Sequence, residues 1–235
     1  MALYKGRPNE LERWAECYAT RRAVSVHFRP VLLFRNGDAV GLGNIFTDAD
    51  ERERILTAGH LFESLFASSV WEFRPLRPMR DYHRMIGKAE PLPNHERLDL
   101  AFCTVGDQAI PITWASPYRS GFHPPPHFPG YTLFDKPRML TSILTGKDVV
   151  CPASVSIDAI DYLISTYQTF DGFIQQGGES GTGFVGETGT TLYILKGSLN
   201  LLSPKAFPEL KLPADQRKLA FLQPVNLAPL LKTER

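Results

Sequence analysis

The sequence predicts an all-β protein made of two β halves joined by a proline-rich connector. Short apolar runs recur along the 235 residues and are separated by turn signals such as Asn36-Gly37-Asp38. Residues 106–130 contain six prolines, a composition that suits an extended connector. Many short strands with frequent turns are typical of barrels and sandwiches. The alternative of one open sandwich leaves the proline-rich stretch without a purpose.

Five segments are expected in chain order. They are an N-terminal helix (1–23), a first β half (24–105), the connector (106–130), a second β half (131–203) and a tail (204–235) that ends in a short helix near 227–232. The strand candidates of the first half are 24–28, 30–34, 41–46, 55–58, 70–73, 82–86 and 98–105, and those of the second half are 138–143, 149–153, 160–165, 184–185 and 192–195.

The N-terminal helix is indicated by Leu11, Trp14, Ala15 and Tyr18, which recur every three to four residues. An apolar stripe of this kind can pack across the outside of a β half. The same helix could instead be a pro-segment or a docking element for a partner. The sequence leaves both interpretations open.

The charge balance argues against two classes of partner. Lys and Arg number 26 and Asp and Glu number 25, so the net charge is +1. A near-neutral chain has no electrostatic drive toward nucleic acid or an anionic membrane, and we expect neither as a partner. The apolar fraction of 43% is enough for a sizeable core.

The cysteines and the N-terminus predict a cytoplasmic location. Cys17, Cys103 and Cys151 form no CxxC pair and are typical of reduced thiols. The N-terminal segment has no apolar signal-peptide core, and no run approaches the ~18 residues of a membrane span. His123 and His127 lie close together but have no third ligand nearby, so we expect no metal.

Three fragments carry the residue types of a nucleophilic hydrolase. They are Thr57-Ala58-Gly59-His60, Leu98-Asp99-Leu100-Ala101-Phe102 and Gly178-Glu179-Ser180-Gly181. A serine hydroxyl needs a nearby general base, and histidine suits that role near neutral pH. An aspartate within an apolar run needs a partner, and a histidine would be one. The first two fragments precede the connector and the third follows it, so a cleft between the halves would gather them.

These three fragments, in this order, resemble the chymotrypsin-like (trypsin-fold) serine peptidases over roughly residues 24–200. The resemblance implies two six-stranded antiparallel β-barrels with the site between them. It implies His60 as general base and acid, Asp99 as the residue that orients it, and Ser180 as the nucleophile. It also implies an oxyanion hole formed by the N–H groups of Gly178 and Ser180.

The resemblance also suggests how substrate is held. Ile174, six residues before the serine, would lie at the base of the primary pocket and favour a small or apolar side chain. Lys196 and Gly197 would belong to the strand that lines the substrate groove, with Gly197 keeping the pocket entrance open. Glu179 replaces the aspartate usual in the family, and no Ile-Val-Gly-Gly start follows Arg22, so Glu179 must be satisfied in another way.

The sequence therefore predicts a cytoplasmic serine endopeptidase that acts on protein or peptide substrates and needs no cofactor. The alternative is a non-catalytic or latent trypsin-fold module that binds a partner or senses a signal. That module would keep the triad residues, and an unidentified activating partner would switch it on. An esterase is a third interpretation, since acyl transfer to water uses the same groups.

Overall fold

Antiparallel strands make up most of the protein in a computed structural model that describes residues 9–62, 69–76, 83–92, 98–108, 111–112, 130–168 and 178–231. The chain begins with helix α1 (Glu10–Tyr18). The first sheet contains β1 (Arg29–Arg35), β2 (Asp38–Thr47), β3 (Glu53–Ala58), β4 (Ser69–Pro75), β5 (Arg84–Pro91), β6 (Leu100–Gly106) and β7 (Pro111–Ile112). The second contains β8 (Thr132–Ser142), β9 (Asp148–Ile157), β10 (Ile160–Ser165), β11 (Gly183–Val185), β12 (Thr191–Asn200) and β13 (Lys218–Asn226).

The first sheet curls into a ring. Its strands follow the order β1-β2-β3-β6-β5-β4-β7, and β1 also pairs with β4, so six of the strands enclose a shared core. The fully buried side chains inside this ring include Val31, Ile45, Ile55 and Phe73. The first β unit is therefore a ring-like sheet, to which β7 adds a short seventh strand, and its expected form as a six-stranded barrel stays a prediction.

The second sheet is a closed six-stranded barrel in the order β10-β13-β12-β11-β8-β9. Its strand β13 comes from the segment that the sequence analysis placed in the tail beyond residue 203. The full length of β12 pairs with β13, from Thr191↔Asn226 to Asn200↔Lys218. Without β13 the barrel could not close, so the second β unit extends to residue 226.

The expected C-terminal helix near 227–232 is not formed in the described part of that segment. Residues 227–231 make a turn, and Leu231 then forms an isolated bridge with Asp48, the residue just after β2. Pro229 disfavours helical dihedrals in the residue before it. Leu227 and Leu231 are both buried between the two sheets. The segment is therefore held by tertiary packing and not by a regular helix.

The N-terminal helix ends earlier than expected, at Tyr18, and packs on the first sheet. Asn9 caps α1 by accepting a hydrogen bond from the Glu12 N–H, and the helix ends at Tyr18. The chain then turns so that the Thr20 N–H donates to the Leu144 carbonyl, 2.7 Å away. The helix and its surroundings form one cluster, which contains Leu11, Trp14, Ala15, Leu32, Phe34, Leu42 and Leu144. This supports the expected packing against the outside of a β unit.

A salt bridge fixes α1 to β4. Arg74 lies 2.9 Å from Glu12 and 2.8 Å from Glu16, and its guanidinium lies over the Phe34 ring. Of the helices that the structure describes, none has the length and apolar character needed to cross a bilayer.

The two β units meet along an apolar interface. It joins side chains of β2, β3 and β6 to side chains of β11, β12 and β13, including Phe46, Leu56, Leu100, Phe102, Val185, Leu192, Ile194 and Val225. Beside it, Gly181 lies directly against β2 and β3. A Cβ atom on Gly181 would overlap the Leu42 carbonyl oxygen and Thr57 Oγ1, and its φ of +92° also favours glycine.

We expect Gly181→Ala to lower the free energy of unfolding by about 3 kcal/mol or more, because it combines backbone strain with overlap against main-chain atoms. Urea unfolding would measure the loss. Gly189→Ala is the matched control, since Gly189 also has a positive φ (+68°) but nothing within 4 Å of its added Cβ. It should lose only about 1 kcal/mol from strain. Equal losses in the two variants would contradict the close approach at Gly181.

Candidate active site

His60 and Asp99 come together because β3 and β6 are antiparallel neighbours. The last pair of their register is Ala58↔Leu100, so the residues just after β3 lie beside the residue just before β6. A short 3₁₀ turn, Gly59–Phe62, carries His60. The His60 Nδ1 atom lies 2.7 Å from Asp99 Oδ2, and the His60 backbone N–H donates to Asp99 Oδ1 at 2.6 Å.

This two-point contact determines the ring's protonation pattern. An ionised carboxylate can only accept, so His60 Nδ1 must carry the proton that it donates to Asp99. In the neutral ring the Nε2 atom is then free to accept a proton. The His60 side chain is 11% exposed and that of Asp99 is 9% exposed, so water competes little with their bond.

Lys196 is the third member of this cluster. Its Nζ lies 2.7 Å from Asp99 Oδ2 and also donates to the Asp99 carbonyl oxygen. The side chain is 1% exposed, so it lies inside the protein. Its expected place in the strand that lines a substrate groove stays a prediction. In β12 the pairing with β13 skips from Leu195 to Gly197, which makes Lys196 the extra residue of a β-bulge.

Opposing effects set the pKa values of this cluster. Burial alone raises the pKa of Asp99, but the His60 hydrogen bond and the Lys196 charge outweigh it and hold that pKa below its ordinary value. Burial lowers the pKa of Lys196, and the neighbouring Asp99 carboxylate acts against this shift. The cluster thus holds Asp99 as a carboxylate at neutral pH.

Ser180 lies in the turn that leads into β11, next to the first sheet. Its carbonyl oxygen accepts a hydrogen bond from the Leu42 N–H of β2 at 3.2 Å. The following residue, Gly181, contacts Thr57, which lies three residues before His60. Within the described residues no hydrogen bond joins Ser180 Oγ to the His60 ring. Catalytic hydrogen bonds often form fully only when substrate binds.

The turn before Ser180 has the features of an anion-binding loop. Gly178 has a φ of +127°, and neither its N–H nor that of Ser180 donates a hydrogen bond to any partner in the described residues. Helix α1 packs directly against this turn, because a Cβ on Gly178 would lie 2.7 Å from Leu11 Cδ2. An oxyanion hole needs two such donors directed at one point, which makes these N–H groups candidates for that role.

Glu179 is satisfied by a tyrosine. The Tyr167 hydroxyl donates to Glu179 Oε1 at 3.2 Å. Burial raises the pKa of Tyr167 well above its ordinary value, and the Glu179 charge raises it further, so the hydroxyl keeps its proton. This bond ties the serine turn to the barrel segment after β10.

The structure says less about the other residues that the sequence analysis singled out. Ile174, His123 and His127 lie outside the described residues. Gly197 is half-buried on β12, one residue beyond Lys196. Among the residues described, no group of three or more His, Cys, Asp or Glu side chains could hold a metal ion.

Sequence reasoning missed Asn44. This fully buried side chain in β2 donates from Nδ2 to the Gly181 carbonyl at 2.8 Å and to the Leu56 carbonyl at 3.4 Å. It therefore ties the serine turn to β2 and β3. The available signal was a lone amide in an otherwise apolar run, Gly41-Leu42-Gly43-Asn44-Ile45-Phe46, where a buried polar group needs a hydrogen-bond partner.

Comparisons with known proteins find similarity among solved structures. No protein-family model matches the sequence, and no curated protein matches it. Among solved structures, the chain is similar to the protease Anisep from Arthrobacter nicotinovorans. The alignment covers 86% of this chain and 92% of that one, with 12% sequence identity and a TM-score of 0.41.

We expect Asp99→Asn to destabilise the fold in a pH-dependent manner. The pKa of Asp99 is lower in the folded chain than its ordinary value of 3.8, so its charge stabilises the fold above that pH. The contribution is lost as the pH falls through the lower folded pKa. Urea unfolding at neutral pH should show a loss of about 3 to 5 kcal/mol in the variant.

The difference in the free energy of unfolding between wild type and Asp99→Asn should then decrease below about pH 4. Asp161→Asn, at an exposed site on β10, is the matched control and should differ little from wild type at any pH. If this difference in the free energy of unfolding stays constant down to acid pH, the charge of Asp99 does not contribute to stability.

Proposed function

We propose that the protein is a serine endopeptidase with Ser180 as nucleophile, His60 as general base and acid, and Asp99 as the residue that orients His60. The observation that carries this proposal is the two-point contact between His60 and Asp99. It holds the ring with Nδ1 protonated and leaves Nε2 free to take a proton, as a general base must.

In the proposed reaction Ser180 Oγ attacks the scissile carbonyl while His60 Nε2 takes the hydroxyl proton. The C–O bond forms as the carbonyl π electrons move onto oxygen. The Gly178 and Ser180 N–H groups, which are unengaged in the described structure, would donate to this oxyanion. The intermediate then collapses, the C–N bond breaks, and His60 gives its proton to the leaving amine. Water repeats the sequence to release the acyl group and restore Ser180.

The edge of β12 offers a place for an extended peptide. Leu195 exchanges hydrogen bonds with Gly181 and Thr182, and the next stretch, Gly197 to Asn200, pairs only with β13 in the described structure. A peptide could add to the other side of this stretch as an extra strand. This supports Gly197 as a substrate-binding residue through its backbone. The preference for small or apolar side chains stays a prediction.

A second candidate function is a latent or non-catalytic module of the same fold. The observation that favours it is the missing hydrogen bond between Ser180 Oγ and the His60 ring within the described residues. An activating partner would then have to bring the serine and histidine together. The two candidates differ in one property: the peptidase has an activated serine in the isolated protein, and the latent module does not.

A fluorophosphonate probe tests the proposal, because it reacts covalently only with an activated serine. We expect labelling of the purified wild type and none of Ser180→Ala. We also expect labelling of His60→Gln to fall at least 100-fold, since the general base is lost. Ser156→Ala is the matched control, because Ser156 is exposed on β9, and it should label like wild type.

Labelling should be followed by cleavage of a peptide library, which separates a peptidase from an esterase. A folded wild-type protein that takes no label would contradict the proposal and favour the latent module. Labelling that persists in Ser180→Ala would place the reactive serine elsewhere.

A further inference from the structure

Lys196 is buried in a place where a positive charge has a cost. Its side chain is 1% exposed, and its ammonium has lost almost all contact with water. Burying a charged group is unfavourable by several kcal/mol unless close partners compensate. Lys196 Nζ contacts two atoms of Asp99, the carboxylate oxygen Oδ2 and the main-chain carbonyl oxygen. Within the described part of the chain, Asp99 is therefore the residue that compensates this buried cation.

His60 and Lys196 share one oxygen atom. Asp99 Oδ2 lies 2.7 Å from His60 Nδ1 and 2.7 Å from Lys196 Nζ. The negative charge that His60 meets is thus already paired with a full positive charge at the same distance. Charges this close interact by several kcal/mol where water is largely excluded. Asp99 keeps its role as a hydrogen-bond acceptor, while its electrostatic pull on a protonated His60 is weakened.

A neutral donor at position 196 could orient Asp99 just as well. A hydroxyl or an amide would donate to Oδ2 and hold the carboxylate in place without adding charge. Unlike these neutral groups, the ammonium carries a positive charge, which disfavours a second positive charge on His60. Lys196 is the extra residue of the bulge in β12, and its ammonium contacts Asp99 of the first β unit.

We propose that Lys196 is a positioning residue that acts through Asp99 to keep His60 neutral, and so ready to accept a proton, in more acidic solution than a charge-free residue at position 196 would allow. This role rests on the proposed peptidase function. It gives the enzyme a working range extended toward acid pH. Its cost is weaker stabilisation of the imidazolium that forms during the reaction.

The charged groups around the site are consistent with this role. Asp99, just before β6, contacts the His60 ring directly. Lys196 on β12 acts on His60 through its ion pair with Asp99. Among the described residues, His60 and Lys196 are the charged groups that pair with the Asp99 carboxylate. On the serine turn, the Glu179 carboxylate is engaged by the Tyr167 hydroxyl.

Three substitutions separate charge from hydrogen bonding. Lys196→Met removes both the charge and the donor, Lys196→Gln keeps a neutral donor, and Lys196→Arg keeps the charge. NMR titration of the His60 ring protons, assigned by their loss in His60→Gln, reports the protonation of His60 directly. Thermal unfolding confirms that each variant is folded before titration.

We expect the titration midpoint of His60 to rise by about one pH unit or more in both Lys196→Met and Lys196→Gln. In Lys196→Arg it should stay within a few tenths of a unit of wild type. The acid limb of the kcat/KM profile should move in the same direction and by a similar amount in the two neutral variants. A purely structural role would lower activity without moving this limb.

Unchanged midpoints in the folded Met and Gln variants would overturn the role of Lys196. A shift in Met that Gln restores would also overturn it, because hydrogen bonding and not charge would then be responsible. If one of the two neutral variants fails to fold, the His60 titration midpoint of the other, compared with that of wild type, still tests the role of Lys196.

The NMR measurement needs no turnover, so it is independent of the peptidase proposal. A wild-type protein that takes no fluorophosphonate label but shows the midpoint shift would refute the peptidase and leave the charge effect standing. Labelled wild type without the shift would refute the role of Lys196 alone.

Discussion

The carboxylate of Asp99 is the group on which the arrangement of the site depends. It lies at the start of β6, accepts from the backbone and ring of His60 beyond β3, and pairs with Lys196 on β12. These contacts link the ring-like first sheet to the closed barrel through a single buried anion. A buried carboxylate is tolerated only with compensating donors, so the same contacts that orient His60 also hold the two β units in one relative position.

The serine turn is held by a second set of contacts that are mostly main-chain. Gly181 lies against the Leu42 carbonyl, and Asn44 donates to the Gly181 carbonyl from inside β2. On the other side, Gly178 packs against Leu11 of α1. Backbone groups approach this closely only where side chains are absent, which is why the turn is rich in glycine. The N-terminal helix thus supports the turn that carries the proposed nucleophile, through contacts made within the chain.

Much of the fold and part of the site could be predicted from local pattern. Short apolar runs with turn signals indicated an all-β chain, and the proline-rich stretch indicated two units; the structure contains a closed barrel and a ring-like sheet. The contact between His60 and Asp99 was expected because a carboxylate in an apolar run needs a partner, and because the resemblance implies this pair. The structure places His60 Nδ1 2.7 Å from Asp99 Oδ2. The segment 218–226 was harder, because it lies in a stretch (204–235) whose five prolines resemble a surface tail. Its role as barrel strand β13 depends on pairing with β12 on one side and with β10 on the other, and local sequence pattern does not show that pairing.

The sequence by itself determined the all-β class, the apolar strands and the residue types available for acyl-transfer chemistry. These depend on local properties, namely side-chain polarity, backbone propensity and the spacing of glycines and prolines. The tertiary structure decided which way Lys196 points and what it touches. The neighbours of Lys196 on β12 divide between two faces, because Ile194 packs in the apolar interface between the units and Leu195 packs in the barrel core. The ammonium of Lys196 contacts Asp99 of the first unit, which lies 97 residues away in the chain. The positive charge beside His60 therefore exists only once the barrel has packed against Asp99.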